Sequence, residues 1–492
     1  MPCTQYQRTK MALLSPLDQL NSSFYLRWSL VLQVKDLNKA VGSLSKGLSA
    51  VTTTLPYLKG RIIYCTDNSK DGTSSIARAV ISVSDDSPNV LLREHGPANG
   101  LPSLARMKEE GGPAHLFPDD LYSLSIFIDV TSKQSHPVFE TTYAPIEGGL
   151  VLSMCVHHGV MDARGLATLT ELWASFTSQQ HQRENIGFLM NLPDPNEPLT
   201  RTVRLTASAN DTAKPGITNI ETIFQHYKND RVLEQDIPSS TEASRPRSSK
   251  IFAFSGDKLE YTKTFLAENN CHVTINSILS CVIWCNVTRI RLSRLSWQPP
   301  IQFSRFFQMV DGERRLGPAI DEPGPYLGNV VLTSSVDVSL NTLATTGSFD
   351  QQSISSMAPV MQAVDEASTQ VTNKYIGGFL EMLQQVEDLE SLGIGRMSQH
   401  GVDFISSNWA DLPLYDCDFG PLFSQDYAEG KRGKPVFVRY PYIDWADGNL
   451  IVLPRWETPT GKDETIEAYI MLVEDDLIAL EEDTSFCSWL KE

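Results

Sequence analysis

The stretch LVLSMCVHHGVMDARGLATLTELWASF, Leu150 to Phe176, decides the fold of this chain. Residues 150–156 are a run of mostly apolar residues, which is typical of a strand buried on both faces. From Gly165 onwards, leucines and aromatic residues recur at helical spacing. The sequence therefore predicts a strand, a turn and a helix, with His157 and His158 where the strand meets the turn.

The turn HHGVMD, residues 157–162, is a candidate active site. In open α/β sheets ligands bind in the crevice beyond the strand ends, where this turn is expected to lie. A histidine at a strand end is more often structural than catalytic, so that interpretation stays open. The spacing favours catalysis, because an aspartate four residues after His158 can fold its carboxylate under the turn while the imidazole points into a cleft.

Length and charge limit the class of protein. With 492 residues the chain exceeds what one hydrophobic core normally supports, so two domains are expected. A net charge of −18 argues against a nucleic acid or an anionic membrane as partner, and an anionic ligand would need a local basic pocket. The sequence has no membrane-spanning apolar run, and MPCTQYQRTK at its start lacks the apolar core of a signal peptide, which predicts a cytoplasmic protein.

The eight cysteines show neither the spacing of a metal site nor that of a disulfide framework, so no metal site is predicted. Cys281 and Cys285 fall on one face of a predicted helix. We interpret both as packing residues, because no further ligand lies near them in the sequence.

The pattern before the histidine turn predicts a mixed sheet with helices on its faces. The expected elements are strands over 24–32, 60–65, 77–83 and 124–130, and a helix that starts at Leu37 and ends before Pro56.

A second ordered unit follows a stretch that reads as linker. Residues 237–250, IPSSTEASRPRSSK, are rich in Ser, Pro and charge. Beyond them, Thr274 is expected to cap a helix that runs to about Arg289, and strands are predicted over 448–455 and 465–473. We therefore place an N-terminal domain at residues 1–205, a crossover linker at 206–250 and a C-terminal domain at 251–492.

Four landmarks resemble those of the BAHD-type, coenzyme A-dependent acyltransferases, in the same order. HHGVMD is similar to the family's His-x-x-x-Asp motif, although the family usually has Gly directly after the Asp, where this chain has Ala163 and then Gly165. The other landmarks are LSPLDQ with TLPYLKGRI (14–19 and 54–62), VDGERRLGPAIDEPGPYLGN (310–329) and ISSNWADLPLYDCDFG (405–420). The resemblance covers residues 14–486 and is to the fungal branch of the family, which includes trichothecene 3-O-acetyltransferases.

The resemblance implies an α/β fold (α+β mixed) of two chloramphenicol-acetyltransferase-like domains, each a mixed β-sheet flanked by helices, with the active-site channel between them. It implies transfer of an acyl group, most simply acetyl, from a coenzyme A thioester to a hydroxyl of a fungal secondary metabolite. The partners would be acyl-coenzyme A and a small alcohol, with no permanently bound cofactor and a monomeric enzyme. Two alternatives stay open. One is a condensation-domain-like enzyme with a carrier-bound donor or an amine acceptor, and the other is a non-catalytic relative that only binds a metabolite.

The resemblance also implies roles for the residues that match these motifs. His158 would be the general base, and Trp409 would offer its indole N–H to the oxyanion of the tetrahedral intermediate. Asp162 would be structural rather than part of a charge relay. Because Glu313 replaces the first arginine of the family's Val-Asp-x-Arg-x-Arg pattern, Arg315, which matches the second, is the expected cationic partner of Asp162.

A structural loop and two cationic groups complete the expected site. Asp418, Phe419 and Gly420 would hold a loop near the donor channel, and an insertion separates them from the Gly-Lys-Pro that directly follows in the family. The residues expected to meet the phosphates of coenzyme A are Arg289, Arg291 and Arg294 at a helix end and Lys431, Arg432 and Lys434 beside the loop. For the three arginines, a solvated helix end is the alternative.

Overall fold

The computed structural model describes residues 9–21, 23–67, 76–84, 86–95, 100–130, 134–179, 193–210, 245–294, 302–322, 324–345, 347–386, 401–424, 432–456 and 465–491. Its strands are β1 Thr9–Leu13, β2 Tyr25–Gln33, β3 Arg61–Asp67, β4 Ile76–Ser84, β5 Leu92–Glu94, β6 His136–Pro137, β7 Phe139–Ile146, β8 Gly149–His157, β9 Arg247–Ser255, β10 Phe303–Asp311, β11 Val331–Ser339, β12 Phe404–Asn408, β13 Phe437–Arg439, β14 Asn449–Val452 and β15 Thr465–Val473. Its α-helices are Pro16–Gln19, Leu37–Thr54, Leu104–Glu110, Ala163–Gln179, Glu197–Asn210, Gly256–Glu268, Ile275–Arg294, Glu313–Leu316, Leu340–Leu343, Gln351–Thr369, Asn373–Gln385, Glu474–Glu482 and Thr484–Cys487.

β8 is the central strand of a five-stranded sheet with the order β13-β2-β8-β7-β5. It pairs antiparallel with β2, where Tyr25 lies opposite His157, and antiparallel with β7 on its other edge. All nine residues of β8 are buried, which confirms the predicted strand. A four-stranded sheet, β1-β4-β3-β6, lies beside it in the first half of the chain.

Two helices, Leu37–Thr54 and Ala163–Gln179, pack on each other and on this sheet in one hydrophobic cluster. The indole N–H of Trp173 donates to the carbonyl oxygen of Leu44 at 2.9 Å, which fixes the second helix against the first. The strand, turn and helix predicted from the opening stretch are therefore confirmed.

A six-stranded sheet, β11-β10-β12-β14-β15-β9, carries the second half of the chain. The helix Ile275–Arg294 covers one of its faces, where Trp284 packs on Phe306 with ring centroids 5.2 Å apart. Thr274 Oγ1 accepts a hydrogen bond from Ser277 N at 3.2 Å and caps this helix, as predicted.

The five-stranded and six-stranded sheets share a hydrophobic core. Trp28 and Leu152 of the first sheet lie in the same buried cluster as Ile451, Tyr469 and Met471 of the second. In addition, β13 comes from the second half of the chain but pairs with β2 in the first sheet. The two halves of the chain are therefore in contact on the face of the five-stranded sheet that contains Leu152.

The strand predicted over 124–130 is wrong, and β7 was missed. Residues 124–130 contribute a single antiparallel bridge, between Phe127 and Phe24. At the other end of this segment, the carbonyl oxygen of Leu124 accepts a hydrogen bond from the Arg27 side chain at 3.1 Å, in place of a backbone ladder bond.

The helix Glu197–Asn210 runs across residue 205, and β9 begins at Arg247. Most of the predicted linker, 211–244, lies outside the described residues, so the domain limits stay a prediction. Of the helices in the described ranges, none is both long and apolar enough to cross a membrane.

Candidate active site

His158 directly follows β8 and lies at the junction predicted from the sequence. Its backbone N–H donates to Phe24 O at 3.0 Å, and its ring packs on the Phe24 ring with centroids 4.6 Å apart. Side chains of a strand alternate between its faces, so the imidazole lies on the face that Leu152 shares with the second sheet. The histidine thus points towards the region between the two halves of the chain.

Asn329 fixes the position of the proton on the His158 ring. The Asn329 amide nitrogen Nδ2 donates to His158 O at 2.8 Å and to Asp18 Oδ1 at 2.9 Å. Its Oδ1 is therefore the acceptor that lies 3.1 Å from His158 Nδ1. Since Oδ1 can only accept, Nδ1 must carry the hydrogen, and Nε2 keeps its lone pair and can act as a base.

His157 has the opposite arrangement of its ring proton. Its Nδ1 accepts the backbone N–H of Gly159 at 3.2 Å, so the hydrogen resides on Nε2, which lies 3.2 Å from the Tyr64 hydroxyl. The side chain is fully buried. The hydrogen bonds therefore leave Nε2 unprotonated on His158, whereas on His157 the unprotonated nitrogen is Nδ1 and already accepts a backbone N–H.

Both histidines are neutral at neutral pH. Burial lowers the pKa of His158 to about 4, although its hydrogen bond with Asn329 and the charge of Asp18 act in the opposite direction. Burial, together with the neighbouring histidines, lowers the pKa of His157 to about 3. A neutral imidazole is the form that can accept a proton.

A buried ionic network supports Asn329 from behind. Asp18 Oδ1 accepts the backbone N–H of Asn329 at 2.8 Å, and Asp18 Oδ2 lies 3.2 Å from Arg201 Nη1. Arg201 also donates to Glu197 Oε2 at 2.8 Å and to Val160 O at 2.7 Å. The side chains of Asp18, Arg201 and Glu197 are fully buried, and a buried charge of this kind is stable only when its partners stay in place.

Asp162 is held by backbone amides and not by an arginine. Its Oδ1 accepts from Gly165 N and its Oδ2 from Val330 N, both at 3.0 Å. Burial raises the pKa of this carboxyl to about 6, while the two amide hydrogen bonds act in the opposite direction. The predicted pair with Arg315 is wrong, because Arg315 is exposed. The carboxylate instead joins the turn to the segment that precedes β11.

Gly165 allows this close approach of the two segments. A Cβ atom at this position would lie 2.3 Å from the carbonyl oxygen of Leu327. Any side chain would push the helix Ala163–Gln179 away from residues 327–330, and so away from Asn329. In the family, a glycine directly follows the Asp of the His-x-x-x-Asp motif, whereas here it comes two positions later, as Gly165. The packing requires a glycine at this later position.

The positive charge that acts on the Asp162 carboxyl is that of Arg164. Arg164 Nε donates to Asp311 Oδ2 at 2.9 Å and lies 3.7 Å from Glu313 Oε1. Burial, followed by the charge of Asp162, raises the pKa of Glu313 to about 9. Glu313, which stands where the family has an arginine, therefore lies beside an arginine in the first turn of the helix Ala163–Gln179.

Trp409 follows β12 and lies in the core shared by the two sheets. Its ring packs against Trp28, with centroids 5.9 Å apart, and against Tyr440, at 5.4 Å. Phe24 packs on the same hydrophobic cluster. It precedes Trp28 by four residues, which corresponds to about 13 Å along the strand. Trp409 is thus on the face of the sheet towards which His158 points, and its catalytic role stays a prediction.

The Asp-Phe-Gly loop is closed by one carboxylate. Asp418 Oδ1 accepts the backbone N–H groups of Gly420 and Gly433, both at 2.9 Å, and Phe419 N donates to Gly433 O at 2.9 Å. Gly420 has a φ of +93°, which favours glycine. These bonds hold the two ends of the insertion 421–432 together, so Gly433 returns beside Gly420 despite the inserted residues.

The structure does not support the first group of predicted phosphate-binding cations. Arg289 lies 2.7 Å from Asp483, and Arg294 lies 2.9 Å from Asp476. Arg291 is buried and also pairs with Asp476. These arginines neutralise the acidic helices that end the chain, which is the physical reason why the prediction is wrong.

The second group of cations stays a prediction. Arg432 is exposed, and Lys434 Nζ lies 2.6 Å from Asp416 Oδ1 with 38% of its side chain exposed. Lys431 lies outside the described residues.

Sequence reasoning missed the residues that position the imidazole, namely Asn329, Asp18, Arg201 and Glu197. Asn329 and Asp18 stand inside two of the quoted landmarks, so a signal was present in the sequence. It did not indicate that these two residues, separated by 311 positions, are hydrogen-bonded to each other.

Residues 122–487 match the family model described as the Transferase family, and residues 24–175 match the trichothecene 3-O-acetyltransferase-like N-terminal domain. The chain belongs to the Transferase family. It is an acyltransferase, and the predicted family and enzyme class are confirmed.

The sequence similarity to known acetyltransferases extends over nearly the whole length of this transferase. It is 66% identical to the trichothecene 8-O-acetyltransferase of Fusarium sporotrichioides, over 100% of both chains. It is 22% identical to the trichothecene 3-O-acetyltransferase TRI101 of the same species, over 95% of this chain and 94% of that protein. A crystal structure of TRI101 from F. graminearum, complexed with coenzyme A and deoxynivalenol, has a TM-score of 0.72 at 19% identity and covers 98% of this chain and 99% of that one. The predicted fold class is thereby confirmed.

Proposed function

We propose that this transferase moves the acetyl group of acetyl coenzyme A to the 8-hydroxyl of a trichothecene. The observation that carries the proposal is the 66% identity, over the whole chain, to a trichothecene 8-O-acetyltransferase. The site supports it independently, because His158 presents a neutral imidazole whose Nε2 can take a proton from an alcohol.

His158 is the general base of the proposed reaction. As the hydroxyl oxygen attacks the thioester carbonyl carbon, its proton passes to Nε2, so the alcohol need not be deprotonated beforehand. The imidazolium keeps its Nδ1–H bond to Asn329 Oδ1. Behind Asn329, the carboxylate of Asp18 offsets the new positive charge through the amide that both groups share.

The attack converts the carbonyl into a tetrahedral oxyanion. Trp409, on the same face of the sheet, is the N–H donor that we assign to this oxygen, and one such donor stabilises the transition state by on the order of 3 kcal/mol. When the intermediate collapses, the C–S bond breaks and His158 returns its proton to the departing thiolate. The products are the acetyl ester and coenzyme A, and no covalent acyl-enzyme forms.

The working unit in this proposal is a monomer in the cytoplasm, with no permanently bound cofactor. Support for the monomer comes from the site itself, since His158 after β8 and Asn329 before β11 belong to one chain and already form the base and its anchor. Lys431, Arg432 and Lys434 remain the residues that we propose for the phosphates of the donor.

The proposal is tested with the purified protein, acetyl coenzyme A and a trichothecene whose 8-hydroxyl is free. We expect thiol release that depends on the alcohol, and an acetyl ester at position 8 by mass spectrometry and NMR. The matched control is the same skeleton without the 8-hydroxyl, which should release thiol only at the background rate. Equal rates with both alcohols would overturn the proposed position, and no alcohol-dependent release with any trichothecene would overturn the proposed function.

A further inference from the structure

A row of aromatic rings leads from His158 to the protein surface. The Phe24 ring lies 4.6 Å from the His158 ring, and Phe24 forms an antiparallel bridge with Phe127. The Phe127 ring lies 4.7 Å from that of Trp445, with an angle of 61° between the two planes. Three separate segments of the chain therefore place aromatic rings in sequence from the catalytic histidine outwards.

The bridge puts Phe127 on the same face as Phe24. The residues on either side of the pair form the two ladder hydrogen bonds, of 2.8 Å and 2.9 Å. In such a non-hydrogen-bonded pair the Cα atoms lie about 4.5 Å apart and the side chains are close together on one face. Because Phe24 contacts the imidazole, Phe127 is the next ring along that face.

Phe127 and Trp445 are both exposed, with 59% and 43% of their surface accessible. Single exposed apolar side chains are common in proteins and need no explanation. Two large rings in contact with each other and continuous with a catalytic group form a contiguous patch, which marks a binding surface.

The charges around this patch favour an uncharged ligand. Asp129 stands two residues after Phe127, and Asp444 directly precedes Trp445. Both aspartates are exposed. The phosphates of coenzyme A would be repelled by carboxylates here, whereas a neutral alcohol would not.

We propose that Phe127 and Trp445 form the mouth through which the acceptor alcohol reaches His158, and that they bind its apolar skeleton and so determine acceptor specificity. This inference rests on the proposed transfer of an acetyl group to an alcohol. It also assigns the donor to the other side of the site, because the acidic mouth excludes its phosphates.

The test compares Phe127→Ala and Trp445→Ala with wild type, using acetyl coenzyme A and two acceptors, a trichothecene with a free 8-hydroxyl and the small alcohol cyclohexanol. We expect the KM for the trichothecene to rise about tenfold in each variant, the size of one lost aromatic contact. The KM for acetyl coenzyme A, the kcat and the rate with cyclohexanol should stay within about twofold of wild type, because no group at the reacting atoms has changed. Phe303→Ala is the matched control, since Phe303 is an aromatic residue at the start of β10 that is 56% exposed and lies outside the row.

Each outcome decides one question. If wild type transfers acetyl groups and the trichothecene KM is unchanged in both variants, the inference fails and the proposed function stands. If the KM for acetyl coenzyme A rises instead, or falls in Asp444→Lys, this mouth admits the donor and the inference is overturned. Absence of alcohol-dependent thiol release in wild type would count against the function itself, and not against the assignment of these two residues.

Discussion

Replacing Asn329 by alanine removes the group that keeps the His158 proton on Nδ1. The side chain makes three hydrogen bonds: Oδ1 with His158 Nδ1 at 3.1 Å, and Nδ2 with His158 O at 2.8 Å and with Asp18 Oδ1 at 2.9 Å. A buried group that loses its partner costs about 1–3 kcal/mol. Asp18 Oδ1 keeps the Asn329 backbone N–H, so we expect a total loss of roughly 3 kcal/mol in the free energy of unfolding.

The loss of rate should be larger than this loss of stability suggests. Without an acceptor at Nδ1, the neutral ring can carry its hydrogen on Nε2, and that nitrogen then cannot take the proton of the alcohol. Replacing the orienting carboxylate of a serine protease triad by an amide, which gives the wrong tautomer, lowers kcat by about 10⁴-fold. We expect about 10²-fold for Asn329→Ala, since the ring remains free to adopt the productive tautomer part of the time.

The measurements are steady-state thiol release and nitrogen NMR of histidine-labelled protein. The kcat should fall while the KM for the donor changes little, and the variant should show the second ring tautomer. Asn286→Ala serves as control, because Asn286 is also fully buried and also donates two hydrogen bonds, to Val282 O and Gly347 O, but lies in the helix Ile275–Arg294. A folded Asn329→Ala variant with kcat within threefold of wild type, or a wild-type ring protonated on Nε2, would refute the reasoning.

Four further predictions concern the histidine turn. His158→Ala should remain folded and lose at least about 10²-fold in transfer rate, whereas His157→Ala should cost less; the opposite order, measured on folded variants, would make His157 the base. Because burial lowers the pKa of His158 to about 4, the acid limb of kcat/KM should lie near pH 4 and not near 6.5, and a limb at 6.5 would contradict a buried base. The same pKa shift makes stability depend on pH. As the pH falls, the unfolded chain takes up the His158 proton at a higher pH than the folded chain does. The contribution of His158 to the free energy of unfolding should therefore be complete above pH 6.5 and decrease as the pH falls towards 4. Asp162→Asn should place an amide N–H against the backbone N–H of Gly165 or Val330 and lower the Tm and the activity together; an unchanged Tm without turnover would make Asp162 a chemical participant.

The histidine turn could be predicted from the sequence because local patterns determine it. The apolar run ends at His157, the helical spacing starts after Asp162, and both observations concern neighbouring residues. The structure confirms that order. The closed Asp-Phe-Gly loop could not be predicted in the same way, because its two halves are separated by an insertion and are joined by hydrogen bonds of Asp418 and Phe419 with Gly433.

The partner of Asp162 was predicted wrongly for a physical reason. A buried carboxylate was assumed to need a cation, yet two backbone N–H groups satisfy this one. The sequence also shows Glu313 where the family has arginine, but it does not show that Arg164 supplies the positive charge from the opposite segment. Arg164 and Glu313 belong to separate segments that come together through folding, so reading one segment at a time cannot reveal their contact.

The two adjacent histidines differ because of backbone geometry and not because of their chemistry. His157 is the last residue of β8, and the tight turn after it points the Gly159 N–H at its Nδ1, which places the hydrogen on Nε2 and makes that ring a structural donor. His158 is one residue further on, and the alternation of the strand sends its ring to the opposite face, where Asn329 accepts from Nδ1. Any sequence that keeps this strand, turn and asparagine therefore keeps an unprotonated Nε2 on the second histidine, whereas a chain that lost Asn329 would retain the motif without the tautomer that the proposed reaction needs.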